Sequence, residues 1–243
     1  MGMAKVAGQF LIAPVLGALG VLLFAFSANG QEADAGSKRI VKIIDRAEDK
    51  IVLEFTNDMW LNMPEGVELR PFSPGFKAYL FSDYQLFKSD FSLAWGLGVS
   101  VDNVHSNAVF VQEVAEDGTV GDQNLTPFPE GYEYDKNKFV TTFIELPLEF
   151  RYIHTGRRPF KAAAGFRVGY MVSNHQKIID TEGKRKFYDF DDLNRWRYGV
   201  SARVGVGPVQ VTAFYSLVPL VESGRGTDEF TAFSIGLALT VIK

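Results

Sequence analysis

Trp196-Arg197-Tyr198-Gly199-Val200-Ser201-Ala202-Arg203-Val204-Gly205 decides the reading of this chain. Successive side chains of a strand point to opposite faces. One face here carries Trp196, Tyr198, Val200, Ala202 and Val204, and the other Arg197, Gly199, Ser201, Arg203 and Gly205. A wholly apolar face backed by arginine, glycine and serine suits a wall between lipid and a tightly packed polar interior.

Seven more runs repeat the scheme. They are Ile51 to Trp60, Gly75 to Phe87, Phe91 to Val101, Phe139 to Ile153, Phe160 to Val172, Val209 to Val218 and Phe230 to Ile242. The third is the cleanest: Phe91, Leu93, Trp95, Leu97, Val99 and Val101 alternate with Ser92, Ala94, Gly96, Gly98 and Ser100. The second is the least regular, with aromatics on both faces. Most runs reach the roughly 9–11 residues that cross a bilayer as tilted strands. Links near 88–90, 154–159 and 205–208 read as turns. Those near 61–74, 102–138, 173–194 and 219–229 read as loops. Alternating short and long links are the layout of an outer-membrane barrel, with turns in the periplasm and loops outside. The expected fold is therefore all-β: an eight-stranded antiparallel up-and-down transmembrane barrel over residues 50–243.

A soluble lipocalin-like barrel also alternates, with its apolar face inward. The small residues on the polar face decide for the membrane, because they fit the crowded interior of a narrow barrel. Aromatics also gather at two levels: Tyr84, Phe91, Phe150, Tyr152 and Phe160 toward the turns, and Phe76, Tyr170, Trp196, Tyr198, Tyr215 and Phe233 toward the loops. That pattern resembles two interfacial girdles. Trp95 falls between them.

The N-terminus reads as a secretory signal over residues 1–30. Lys5 precedes an apolar run from Phe10 to Phe26, and Ala28-Asn29-Gly30 supplies small residues before Gln31. Residues 31–49 read as a short periplasmic tail. The 243-residue chain has no cysteine and a formal net charge of −4. Disulfides, thiolate metal sites and cysteine nucleophiles are thereby excluded, and nothing suggests nucleic-acid binding.

Alternation sends Glu54, Lys77, Asp83, Glu145, Glu149, Arg151, Lys161, Arg167, Arg197 and Arg203 into the lumen. Isolated buried charges are costly, so these groups are expected to pair. The adjacency of their runs matches Glu145 and Glu149 with Lys161 and Arg167. An eight-stranded interior is just wide enough for side chains to fill, which favours a packed polar core over a pore or proton path. Arg203→Leu is then expected to lower stability more than it alters conductance.

Catalysis has two weak candidates. His105-Ser106 lies near Asp102, and His175 shares a loop with Asp191 and Asp192. No G-x-S-x-G or H-E-x-x-H spacing supports either, and His154 falls in a turn. We expect no catalytic, cofactor or metal site. The acidic segment 102–138 reads as a solvated, mobile loop.

The stretches Asp83-Tyr84-Gln85-Leu86, Phe91 to Val99, Phe143-Ile144-Glu145-Leu146-Pro147-Leu148-Glu149, Gly165 to Tyr170 and Trp196 to Gly199 resemble the PorT-like outer-membrane β-barrel proteins of Bacteroidetes. The I/L-E-x-P-L element is the most recognisable part. The resemblance covers roughly residues 50–243 and implies a non-enzymatic barrel in the bacterial outer membrane, without cofactors. Its partners would be outer-membrane lipid and proteins of secretion or envelope assembly. The chain ends Thr240-Val241-Ile242-Lys243, without the terminal aromatic common in outer-membrane strands. A small-solute channel and a soluble periplasmic ligand-binding barrel are the alternatives.

Overall fold

The computed structural model describes residues 49–87, 89–114, 120–154, 156, 158–188, 190–225 and 230–242. The signal segment 1–30 and the tail up to residue 48 lie outside them.

Eleven strands are described: β1 (Asp49–Leu61), β2 (Pro74–Gln85), β3 (Phe91–His105), β4 (Ala108–Val114), β5 (Val120–Pro127), β6 (Tyr134–His154), β7 (Phe160–Asp180), β8 (Gly183–Phe187), β9 (Trp196–Val206), β10 (Val209–Pro219) and β11 (Thr231–Ile242). Eight of them close a barrel. Each of β1, β2, β3, β6, β7, β9, β10 and β11 pairs antiparallel with the next, and β11 returns to β1. The seam runs from Ile51↔Val241 to Leu61↔Thr231. Closure leaves the barrel without a free strand edge, as a spanning sheet in lipid requires.

The expected runs become these eight strands; β3, β6 and β7 extend well past them at the loop end, while β2 stops at Gln85 and β11 starts at Thr231. The opening stretch is β9, whose side chains alternate between exposed and buried, beginning with exposed Trp196 and buried Arg197. The short links are turns. Val206 pairs with Val209 across Gly207-Pro208, and Gly207 takes a φ of 64°, which a glycine opening a two-residue hairpin adopts without steric cost. Pro147 sits inside β6. Having no N–H to donate, it interrupts the β3–β6 ladder, which resumes between Gly98 and Glu145 after Trp95↔Leu148.

Apolar residues cover the outside. Leu146 is 59 % exposed, Trp95 62 % and Trp196 61 %. A contiguous apolar belt of this kind is a lipid-facing surface, and it excludes a water-soluble barrel. Aromatic contacts join each girdle. Phe91 stacks on Phe150 at 5.4 Å and meets Tyr152 at the turn end, while Tyr170 meets Trp196 at 5.0 Å at the loop end. Trp95 points into the belt at mid-depth.

The long links differ from expectation. The described residues of the segment 102–138 are mostly strand rather than solvated loop: β3 continues to His105, β4 and β5 pair antiparallel, and β6 starts at Tyr134. In 173–194, β7 continues to Asp180 and pairs with β8. β6 and β7 each have 21 residues, so their loop-end portions and the tall β7–β8 hairpin rise well beyond the lipid belt. The cause is a second apolar core. Phe110 of β4 and Leu125 of β5 pack with Trp60, Val104, Phe139, Phe143, Phe190, Leu193, Leu220, Val221 and Phe230 across the loop-end mouth. The many acidic residues in 102–138 hid the two apolar side chains that pin it.

Leu125 is 4 % exposed, and Leu125→Ala removes buried carbon from this lid. The expected loss is about 2–3 kcal/mol. It should appear as faster hydrogen exchange in β4 and β5, with the lower barrel protected as before.

Candidate functional site

The lumen concentrates the buried charged side chains among the described residues. Six of the eight barrel strands send between one and three charged side chains inward, β10 and β11 send none, and glycine leaves room beside them. Glu145 lies opposite Gly169 and Glu149 opposite Gly165. A Cβ built on Gly165 would sit 2.4 Å from the carbonyl oxygen of Leu148 and 2.9 Å from Cγ of Glu149. The small residues thus give the acids their space.

Among the described residues, six cations (Lys77, Arg151, Lys161, Arg167, Arg197 and Arg203) share the interior with six carboxylates (Glu54, Asp58, Asp83, Asp102, Glu145 and Glu149). All ten charged residues expected in the lumen have side chains turned inward. Arg167 makes a two-pronged pair with Glu54, through Nη2 to Oε1 at 2.8 Å and Nη1 to Oε2 at 3.0 Å. It also donates to the Tyr79 hydroxyl at 2.8 Å, and Tyr79 in turn donates to Glu145 Oε2 at 2.5 Å. Arg197 donates to Glu145 Oε1 at 2.5 Å, to Ser100 at 2.8 Å and to Asp102. Nearer the turns, Arg203 and Arg151 both hold Glu149, at 2.6 and 2.8 Å, and Arg151 reaches Asp83 at 3.4 Å. Lys77 joins Asp102 at 3.2 Å and Ser234 at 2.9 Å. Lys161 donates to Thr240 at 3.2 Å.

The expected matching of Glu145 and Glu149 with Lys161 and Arg167 is therefore wrong. The acids of β6 pair with Arg197 and Arg203 of β9, and Arg167 of β7 pairs with Glu54 of β1. The residues opposite these acids on β7 are glycines, so the long guanidinium side chains pair across the narrow lumen instead. Aromatic rings fill the gaps between ions. Arg197 lies 3.7 Å over Phe143, Arg151 4.1 Å over Phe81 and Arg167 4.7 Å over Tyr79, close enough for cation–π attraction.

Sequence reasoning missed Asp58, Tyr79 and Asp102 as members of this network. Asp58 continues the parity of Glu54 and Thr56, and Asp102 that of Ser100. Extending the alternation by two residues finds both.

The catalytic candidates do not assemble. Asp102 is taken by Arg197 and Lys77, and Ser106 bonds backbone groups of Ala108. His105 Nδ1 is buried without a hydrogen-bond partner. Asp192 accepts from Gln123 N and Arg225, Asp191 pairs with Arg195, and His175 packs against Tyr188 with the rings tilted. His154 meets Asp90 in the exposed turn region. No group of three or more His, Cys, Asp or Glu suited to a metal occurs among the described residues.

A family model described as the outer membrane protein beta-barrel domain matches residues 46–219. The chain belongs to this family. No curated protein matches it. The family match stops at the end of β10, and the structure supplies the strand that closes this outer-membrane barrel, β11 against β1. Membership, the lipid-facing belt and the closed sheet agree on an integral protein of the bacterial outer membrane.

Above the belt, the barrel's tall hairpin is tied at its tip. Arg185 of β8 and Tyr132 both donate to Asp180, and Arg185 donates to the Tyr132 hydroxyl at 3.0 Å. The Tyr132 hydroxyl, and then Arg185, hold the Asp180 carboxyl below its ordinary range despite its partial desolvation. A depressed folded value means that this tie is complete above about pH 4, the usual range of an unfolded aspartate, and is lost as pH falls through the lower folded value. Amide exchange in β8 is expected to stay slow from neutral pH down to about pH 4, after correction for intrinsic rates, and to rise below it.

Proposed function

We propose that the protein is a plugged, non-enzymatic barrel of the PorT-like kind. It is exported through its N-terminal segment and acts as an anchor or accessory for protein secretion or envelope assembly. The observation that carries this reading is the filled lumen. Ion pairs occupy the barrel's middle and turn end, and the apolar lid closes the loop end. A cavity between Asp58, Trp60, Asp102 and Arg197 measures about 10 Å³, room for one water molecule. With its interior spent on packing, the barrel has its rim and loops left for work on other proteins. The I/L-E-x-P-L element supports the PorT-like assignment.

Crosslinking followed by pull-down from native membranes tests the role. Co-purification of the full-length protein with secretion or envelope-assembly components is the expected result. Purification with none of them, together with large, stable single-channel currents in planar bilayers, would overturn the reading in favour of a solute channel. Arg203→Leu is expected to leave the wild-type current baseline unchanged while lowering the urea midpoint of unfolding.

A further inference from the structure

The outward face of the β6–β7–β8 extension carries a lattice of lysines that the barrel itself does not use. In the strand register, Lys138 lies directly opposite Lys177, and Lys177 directly opposite Lys186. One rung higher, Lys136 and Lys184 flank Ile179. Directly opposed residues share a face, and neighbouring strands lie about 4.8 Å apart. Five ammonium groups thus converge on one side of a three-stranded sheet. Opposed like charges are unfavourable there unless something neutralises them.

Nothing described on the protein does so. Among the described residues, none of the five lysines has an ion-pair partner, and Lys138 Nζ has only a hydrogen bond to Asn103 at 2.8 Å. Asp180 and Glu182 are taken by Arg185, whose register partner Ile178 is buried on the sheet's other face. Partial desolvation and then Lys184, Lys136 and Lys186 pull the Lys177 ammonium below the usual lysine range.

Height identifies the occupant. The lipid belt on β6 ends near Ile144 and Thr142, level with the loop-end aromatics. Lys138 is four residues farther along a strand that rises about 3.3 Å per residue and tilts about 40°, which sets it about 10 Å above the hydrocarbon edge. That is the headgroup zone, and the patch faces sideways along the membrane.

We infer that Lys136, Lys138, Lys177, Lys184 and Lys186 form a lateral binding site for the phosphate groups of an anionic lipid headgroup in the outer leaflet. Bound lipid would neutralise the lysine row and brace the tall hairpin. Lysine suits this task as a flexible point charge for phosphate.

The test uses the full-length protein in detergent and native mass spectrometry, with a diphosphorylated glycolipid and its dephosphorylated form as probes. Wild type is expected to retain the diphosphorylated lipid selectively. Lys138→Gln/Lys177→Gln/Lys186→Gln should weaken retention at least about tenfold, and the matching triple arginine variant should keep it. Heat-modifiable gel mobility reports that each variant is folded, and Lys177→Gln alone serves if the triple variant is not. Equal retention of the two lipids, or no loss in the folded glutamine variant, would overturn the site. Displacement of the lipid by millimolar inorganic phosphate would assign the lysines to a free anion and overturn it as well.

Discussion

Arg167→Met is expected to lower the unfolding free energy of the barrel by about 3–5 kcal/mol. Burial is nearly complete for Arg167 and for Glu54, each 1 % exposed. Removing the guanidinium leaves the Glu54 carboxylate with Thr212, at 3.2 Å, as its remaining close donor, and deprives Tyr79 of a partner. Most of the loss is the cost of a buried, unpaired charge rather than the net worth of the pair. Glu54→Gln added to Arg167→Met should therefore recover a large part of it, although the double variant has lost more charges. Urea unfolding of protein refolded into lipid measures both. A double variant weaker than the single one would mean that the pair is itself a major source of stability.

Gly236→Val is expected to abolish the closed barrel. A Cβ at Gly236 would lie 2.0 Å from the carbonyl oxygen of Phe55 and 2.7 Å from Cα of Thr56. Both atoms belong to β1, so the clash falls on the β1–β11 seam, where Thr56 faces Gly236. Neither strand can give way without opening the ladder, and an open edge in lipid exposes backbone groups that each cost several kcal/mol. The folded, faster-migrating band in unheated gels should disappear. Persistence of that band at wild-type intensity would show that the seam can be repacked.

The fold was legible because period-two alternation is a local property. Each run from Ile51 to Ile242 states which side chains meet lipid, and the short links state which strands are neighbours. The inward direction of the ten charged residues follows from the same parity. Their partners do not. Arg197 finds Glu145 and Asp102, and Arg167 finds Glu54, because closure sets distances across the lumen that neighbouring runs do not encode. The lid was hidden for a related reason. Phe110 lies in the short apolar run Ala108–Val111 and Leu125 stands alone between Asn124 and Thr126, and both acquire meaning only beside Phe139, Phe190 and Phe230 from distant parts of the chain. The lysine row is equally invisible, since Lys138, Lys177 and Lys186 meet only through the register of the extended hairpin.

The central claim is a barrel with lipid outside and a filled interior. Because the chain has no cysteine, single cysteines can be placed on β3 in native membranes. Leu97→Cys and Val99→Cys, on the outward face, are expected to label with a probe dissolved in the bilayer. Ala94→Cys and Ser100→Cys, on the buried face, should resist both this probe and a small aqueous thiol reagent. Aqueous labelling at 94 and 100 would contradict the account by revealing an open pore, and aqueous labelling at 97 and 99 would place the belt in water.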